Sequence, residues 1–93
     1  MSATLDTLLV RSPEVCGGRL RISNSRVTVH QIATLYKQGE PPEEIAAHFP
    51  HLTLAHIYAA LTYYHANRGE IESDLQREHL EAEQLRAQLQ GQS

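Results

Sequence analysis

The stretch that decides the fold runs from Pro41 to His65 and reads PPEEIAAHFPHLTLAHIYAALTYYH. Pro42 suits the first position of a helix, and Pro50 ends that helix after about two turns. Thr53 can then cap a second, longer helix whose apolar residues recur three and four positions apart. A short helix, a tight turn and a longer helix together predict a helix-turn-helix unit.

The longer helix has the most apolar face of the chain but carries no positive charge. No Lys or Arg lies between Leu54 and His65. Because non-specific DNA affinity comes largely from neutralising phosphates, we expect this helix to form core or dimer contacts, with neutral DNA contacts through Thr62 and Tyr63 as the alternative. His56 stands where Glu or Gln usually completes a capping box, which predicts a weakened cap. The residues expected on the apolar face are Leu54, Ile57, Tyr58, Leu61, Tyr64 and His65.

Another helix is predicted upstream of this unit. Thr28 can cap it while Gln31, three residues on, reaches back to complete a capping box. Its apolar residues follow the spacing of one helical face, and Gly39 supplies a left-handed stop.

The N-terminal part has the pattern of a β-hairpin or β-arm. Three short β-prone pieces, 8–10, 20–22 and 27–29, are separated by turn residues. Isolated two-stranded ribbons are marginal in water, so this arm must pack on helices or pair with another chain. We therefore expect a homodimer or a higher oligomer in which strand edges pair.

The composition changes after Gly69. Glu, Gln, Arg and Leu become frequent there, which favours a helix. We therefore divide the chain into a β-arm plus helix-turn-helix core (1–72) and an acidic C-terminal helical tail (73–93). The fold class expected is mainly α, with a short β-arm, a homeodomain-like or winged helix-turn-helix core and a C-terminal helix.

Charge is distributed unevenly along the 93 residues. The first 37 residues hold five basic residues against two acids, and the remainder holds three against nine. The basic part could therefore bind phosphate groups, whereas the acidic part could not. The alternative is that exposed charges are scattered by chance, which would give the same counts.

No stretch reaches the roughly 20 apolar residues of a membrane span, and the start lacks a basic leader. We expect a cytoplasmic protein that does not contact membranes.

Several short motifs occur in an order and spacing that resemble the DUF433 family of proteins of unknown function. The resemblance covers about Leu8 to Glu72 and implies a prokaryotic, dimeric protein with a homeodomain-like or winged core. Family members are often encoded beside a nuclease-like toxin and are similar to VapB-type antitoxins in that role. The matching motifs are Pro13-Glu14-Val15-Cys16-Gly17-Gly18, Ser25-Arg26-Val27-Thr28-Val29, Pro42-Glu43-Glu44-Ile45, Phe49-Pro50-His51-Leu52-Thr53, Ile57-Tyr58-Ala59-Ala60-Leu61 and Tyr63-Tyr64.

Three arginines of the arm are the candidates for binding nucleic acid. Arg19 and Arg21 are alternate residues of a β-prone piece, so their guanidinium groups would point the same way. Arg26 could join them across the turn. The alternative is that Arg26 ties its turn to a carboxylate or to backbone carbonyls while the other two are solvated.

The tail holds the candidates for binding a protein partner. Ile71, Leu75, Leu85 and Leu89 are too sparse for a helix bundle but suit a helix laid into a groove. Six acids against two bases over residues 70–93 predict a basic surface around that groove. A solvated tail without a ligand is the alternative.

The sequence contains no recognisable motif for catalysis or metal binding. We find no nucleophile elbow and no phosphate-cradling glycine loop, and Cys16 has no basic partner. His48 and His51 straddle the helix-breaking Pro50, so we expect no metal and no cofactor.

The function predicted is a dimeric, antitoxin-like regulator that binds operator DNA and neutralises a nuclease-like toxin. A protein-interaction or oligomerisation module that does not bind DNA is the alternative.

Overall fold

Helices and a small antiparallel hairpin make up the fold over residues 5–91, the part of the chain that the computed structural model describes. The mainly α class with a short N-terminal hairpin is therefore confirmed. In chain order the elements are α1 (Leu5–Leu8), β1 (Leu9–Val10), a short 3₁₀ helix (Cys16–Gly18), β2 (Arg21–Ile22), α2 (Val29–Lys37), α3 (Pro42–His48), α4 (Leu54–Ala66) and α5 (Arg68–Gln90).

The hairpin is bonded along both sides of β2. On one side β1 and β2 pair antiparallel, with Leu9 opposite Ile22. On the other side the Ile22 N–H donates to the Val27 carbonyl at 2.8 Å, and Arg21 forms a bridge with Thr28. The sequence predicts free strand edges in the pieces 8–10 and 20–22. This is wrong for β2, which is bonded on both sides, whereas β1 pairs with a strand on one side only among the described residues.

The predicted cap of α2 is confirmed. The Thr28 hydroxyl accepts from the Gln31 N–H at 3.1 Å, and the Gln31 side chain accepts from the Thr28 N–H at 2.9 Å. Helix α2 ends at Lys37, and Gly39, just beyond its C-cap, has a φ of 98° in the left-handed region. Because Thr28 is the cap, Val29 is helical, and the third β-prone piece ends one residue earlier than expected.

Helices α3 and α4 form the predicted short helix, turn and long helix. Pro41 precedes α3 without a side-chain cap. The expected weakening of the α4 cap is wrong, because the His56 ring supplies the acceptor that a carboxylate usually gives. Its Nδ1 accepts from the Thr53 N–H at 3.0 Å, while the Thr53 hydroxyl accepts from the His56 N–H at 3.3 Å.

The buried face of α4 is narrower than the sequence indicated. Leu54 and Tyr58 are 42% and 49% exposed, and His65 is exposed as well. They form the row beside the buried one, and His65 at the end of this row has an edge-to-face contact with Tyr36 of α2, with 5.3 Å between the ring centroids. The α4 residues that enter the core are Ile57, Ala60, Leu61 and Tyr64, and they join Ile22, Val29, Ile32, Ile45 and Ile71 there.

Helix α5 follows α4 after a break at Asn67, whose φ and ψ are −130° and 39°. A 23-residue helix is about 34 Å long. Its first half packs on the core, whereas every residue from 79 to 90 is exposed, and the molecule measures 57 × 30 × 25 Å. The boundary expected at residues 72 and 73 lies inside this helix. None of the described helices has the length and apolar character needed to cross a bilayer.

Candidate functional site

Arg19 is engaged by the C-terminal helix. Its guanidinium donates to the carboxylate of Glu78 on α5. This bond raises the pKa of Arg19, and the same contact lowers the pKa of Glu78. The charge of Arg19 is therefore paired with a carboxylate of the same chain. Arg19 and Arg21 do not form a pair of guanidinium groups that both lack an acidic partner.

Two more acids of α5 are paired with the core. Lys37 Nζ lies 2.5 Å from Glu72 Oε1, and the buried Tyr64 hydroxyl donates to the other oxygen of the same carboxylate. Hydrogen bonds from Lys37 and Tyr64 lower the pKa of Glu72, whereas burial, followed by the bond to Glu72, raises that of Tyr64. The His30 Nε2 lies 2.9 Å from Asp74 Oδ2. The uneven charge of the sequence is thus partly neutralised inside the fold.

Arg21 holds the turn through a backbone carbonyl, the structural role that the sequence analysis considered for Arg26. Its Nη1 donates to the Ser25 carbonyl at 2.9 Å, and its Nη2 donates to the Ser12 hydroxyl at 3.1 Å. The remaining nitrogen, Nε, is buried without a hydrogen-bond partner. Arg21 therefore ties the turn after β2 to the loop after β1.

Arg26 is exposed and makes no side-chain hydrogen bond or ion pair within residues 5–91. It borders an open groove of about 690 Å³, which we call the arginine groove. Neither Arg26 nor Arg21 has a carboxylate within 4.0 Å among the described residues. The groove is lined by Val10, Val15, Arg21, Ser23, Asn24, Ser25 and Arg26.

The predicted partner-binding residues separate into two groups along α5. Ile71 is fully buried in the chain's own core, and Leu75 is partly buried against it. The expectation for Ile71 is therefore corrected, because a side chain enclosed by its own fold cannot contact a partner. Leu85 and Leu89 are 57% and 63% exposed on residues 80–90, which we call the projecting segment.

Ala82 belongs with Leu85 and Leu89, although the expected set omitted it. The series Ile71, Leu75, Glu78, Ala82, Leu85 and Leu89 follows alternating steps of four and three, so these three residues continue the face that begins at Ile71 and Leu75, with Glu78 as its one charged position. The heptad spacing in the sequence was the signal for Ala82. We call Ala82, Leu85 and Leu89 the bare stripe.

The described part of the chain places no group of three or more His, Cys, Asp or Glu side chains where they could hold a metal ion. Cys16 is partly buried, and its Sγ lies 3.4 Å from the Arg26 carbonyl. Its backbone φ of 54° is left-handed, which fits a residue inside a tight glycine-rich turn. Cys16 therefore contacts the backbone of Arg26, a residue that lines the arginine groove.

A hairpin packed on a helix-turn-helix core with a protruding helix defines the class of this protein. The family model described as "Protein of unknown function (DUF433)" matches residues 9–64, and the chain belongs to this family. A crystal structure of a DUF433 member protein from Anabaena variabilis is similar, with a TM-score of 0.69 and 36% identity. That match covers 75% of this chain and 69% of the Anabaena chain. No curated protein matches the chain. The family model ends before α5 begins.

Proposed function

We propose that this protein is an antitoxin-like regulator that captures a protein partner with the projecting segment of α5. The bare stripe carries the proposal. One face of α5 is buried against the core at Ile71 and exposed at Leu85 and Leu89. An apolar helix face without a covering element suits a groove on another protein.

The structure changes the charge expected of that partner. Three of the six acids of the tail, Glu72, Asp74 and Glu78, already pair with core residues. The projecting segment keeps two carboxylates, Glu81 and Glu83, against one guanidinium. The partner surface therefore needs an apolar channel more than a strongly basic one. A nuclease-like toxin is the partner class that family resemblance implies.

Matched leucine substitutions test this proposal. Leu85→Ser with Leu89→Ser should abolish capture of the nuclease-like product of a neighbouring gene, because two exposed apolar anchors are lost. Leu80→Ser is the control, since Leu80 is 50% exposed but lies on the other side of α5. Co-purification and relief of nuclease activity are the readouts, with circular dichroism to check the fold. Full capture by the double variant would end the proposal.

DNA binding by a dimeric core is the second role in this proposal. The arginine groove favours it, because its cations face no carboxylate within the described residues. The open edge of β1 gives a second copy a place to pair. An interaction module without DNA binding is the rival, and titration of short duplex DNA at two salt concentrations separates the two, since phosphate contacts give a salt-dependent affinity.

A further inference from the structure

Two neighbouring cations of the hairpin region, Arg21 and Arg26, have no carboxylate partner. Among the Lys and Arg residues, Arg19, Lys37 and Arg77 each contact an acid on α5, whereas Arg11, Arg21, Arg26, Arg68 and Arg86 form no ion pair within residues 5–91. Of these five unpaired side chains, only that of Arg21 is partly buried. A partly buried charge without a counter-charge is costly, so such a site favours an anion from outside.

We propose that the arginine groove binds one phosphate group, held by Arg21 and Arg26 and not by Arg19. This inference deepens the DNA-binding role and is independent of partner capture by α5. It also reduces the arm to a single phosphate site, because Arg19 is neutralised by Glu78.

Arg21 provides a fixed donor in the lining of the groove. Its bonds to the Ser25 carbonyl and the Ser12 hydroxyl use one N–H on each terminal nitrogen. Each terminal nitrogen keeps a second N–H, and the guanidinium is planar, so the remaining donors have a set direction. Little side-chain entropy remains to be lost when a phosphate oxygen arrives.

The turn from Asn24 to Arg26 adds backbone donors. The N–H groups of these residues have no hydrogen-bond partner among the described residues. Asn24 has a φ of 59°, and left-handed residues in turns direct successive N–H groups to one side, which forms anion-binding concavities. The exposed Arg26 residue lines the same groove.

The lining fits phosphate better than a whole nucleotide. It contains no aromatic ring on which a base could stack. It contains no acid that would repel the anion or accept from a ribose hydroxyl. A phosphodiester of duplex DNA and a free phosphate share this chemistry, and the test must separate them.

Nuclear magnetic resonance titrations of the full chain test the site. Inorganic phosphate is added in one series and a short DNA duplex in another, each at two sodium chloride concentrations. We expect saturable shifts of the amide signals from 21–26. Arg26→Gln should weaken binding about tenfold, the equivalent of one charge-assisted hydrogen bond. Arg86→Gln removes the same charge from the projecting segment and should leave affinity unchanged.

Each outcome decides the inference. Saturation by both ligands, with loss in R26Q alone, supports a site that accepts DNA phosphate. Saturation by inorganic phosphate alone supports the site and assigns it to free phosphate, which removes DNA as its ligand. Saturation by DNA alone with shifts at 21–26 assigns it to the phosphodiester. The phosphate site is overturned if the amide signals of 21–26 do not shift, or if R26Q and R86Q weaken binding equally. Failure of partner capture by α5 does not bear on the phosphate site.

Discussion

Asp74 connects the buried ring of His30 to α5. The His30 side chain is only 9% exposed, and its Nε2 lies 2.9 Å from the Asp74 carboxylate. The hydrogen bond with His30, followed by one from Arg77, lowers the pKa of Asp74. The carboxyl therefore stays ionised in the folded chain at pH values where it is protonated in the unfolded chain. By linkage, its contribution to stability is present above about pH 4 and is lost as the pH falls through the lowered pKa.

Asp74→Asn should therefore lower the free energy of unfolding at pH 7 and have a smaller effect at about pH 3. Glu14→Gln is the control, because Glu14 is exposed and forms no ion pair among the described residues. Urea unfolding of the three proteins at both pH values gives the comparison. A loss in D74N of the same size at both pH values would contradict this role of Asp74.

At the scale of elements, the caps show what the sequence could and could not predict. The Thr28–Gln31 box was predictable because both residue types and their spacing are standard. The cap of α4 was underestimated, because an imidazole nitrogen in the right tautomer accepts a hydrogen bond as a carboxylate oxygen does. Spacing alone could not report that His56 turns its Nδ1 toward the Thr53 N–H.

The α4 cap gives a prediction with an internal control. Thr53→Ala should reduce the free energy of unfolding by about 1 kcal/mol, because two helix-end hydrogen bonds depend on that residue's hydroxyl and its conformation. His56→Gln should leave stability nearly unchanged, since an amide oxygen can accept the same bond. His56→Ala should fall between the two. Thermal or urea unfolding measures all three, and equal stability of T53A and the parent would show that the box contributes nothing.

The helix faces show a second limit of the sequence. Period and spacing identified Ile57, Leu61 and Tyr64 as core, and the structure confirms them. The same period placed Tyr58 there, although it is half-exposed. Spacing fixes the angle of a residue around its own helix, but the width of the buried face depends on which neighbours pack against it. The spacing of apolar residues along α5 likewise could not show that the start of this helix packs against the core. The burial of Ile71 was therefore not predicted.

At the scale of the whole molecule, α5 joins charges that lie far apart in the sequence. Arg19 and Glu78 are 59 positions apart, His30 and Asp74 are 44 apart, and Lys37 and Glu72 are 35 apart. The counts of charge along the chain predicted a basic half and an acidic half that act separately. Tertiary pairing makes the first half of α5 a part of the core instead, and it leaves Arg26 and the projecting segment exposed.

Two truncations test where the folded unit ends. A chain ending at Leu80 keeps the α5 residues that contact the core, including Glu78, and should unfold at the same urea concentration as the full chain. A chain ending at Glu72, the boundary expected from composition, loses the pairs of Asp74 and Glu78 and the packing of Leu75. It should therefore unfold at a lower urea concentration, since a partly buried leucine and two core contacts are removed together. Both truncated chains lack the bare stripe, so neither should capture the partner, and only the chain ending at Leu80 isolates that loss from a loss of stability. Equal midpoints for the two truncations would show that the core is complete at Glu72 and that α5 beyond it contributes nothing to the fold.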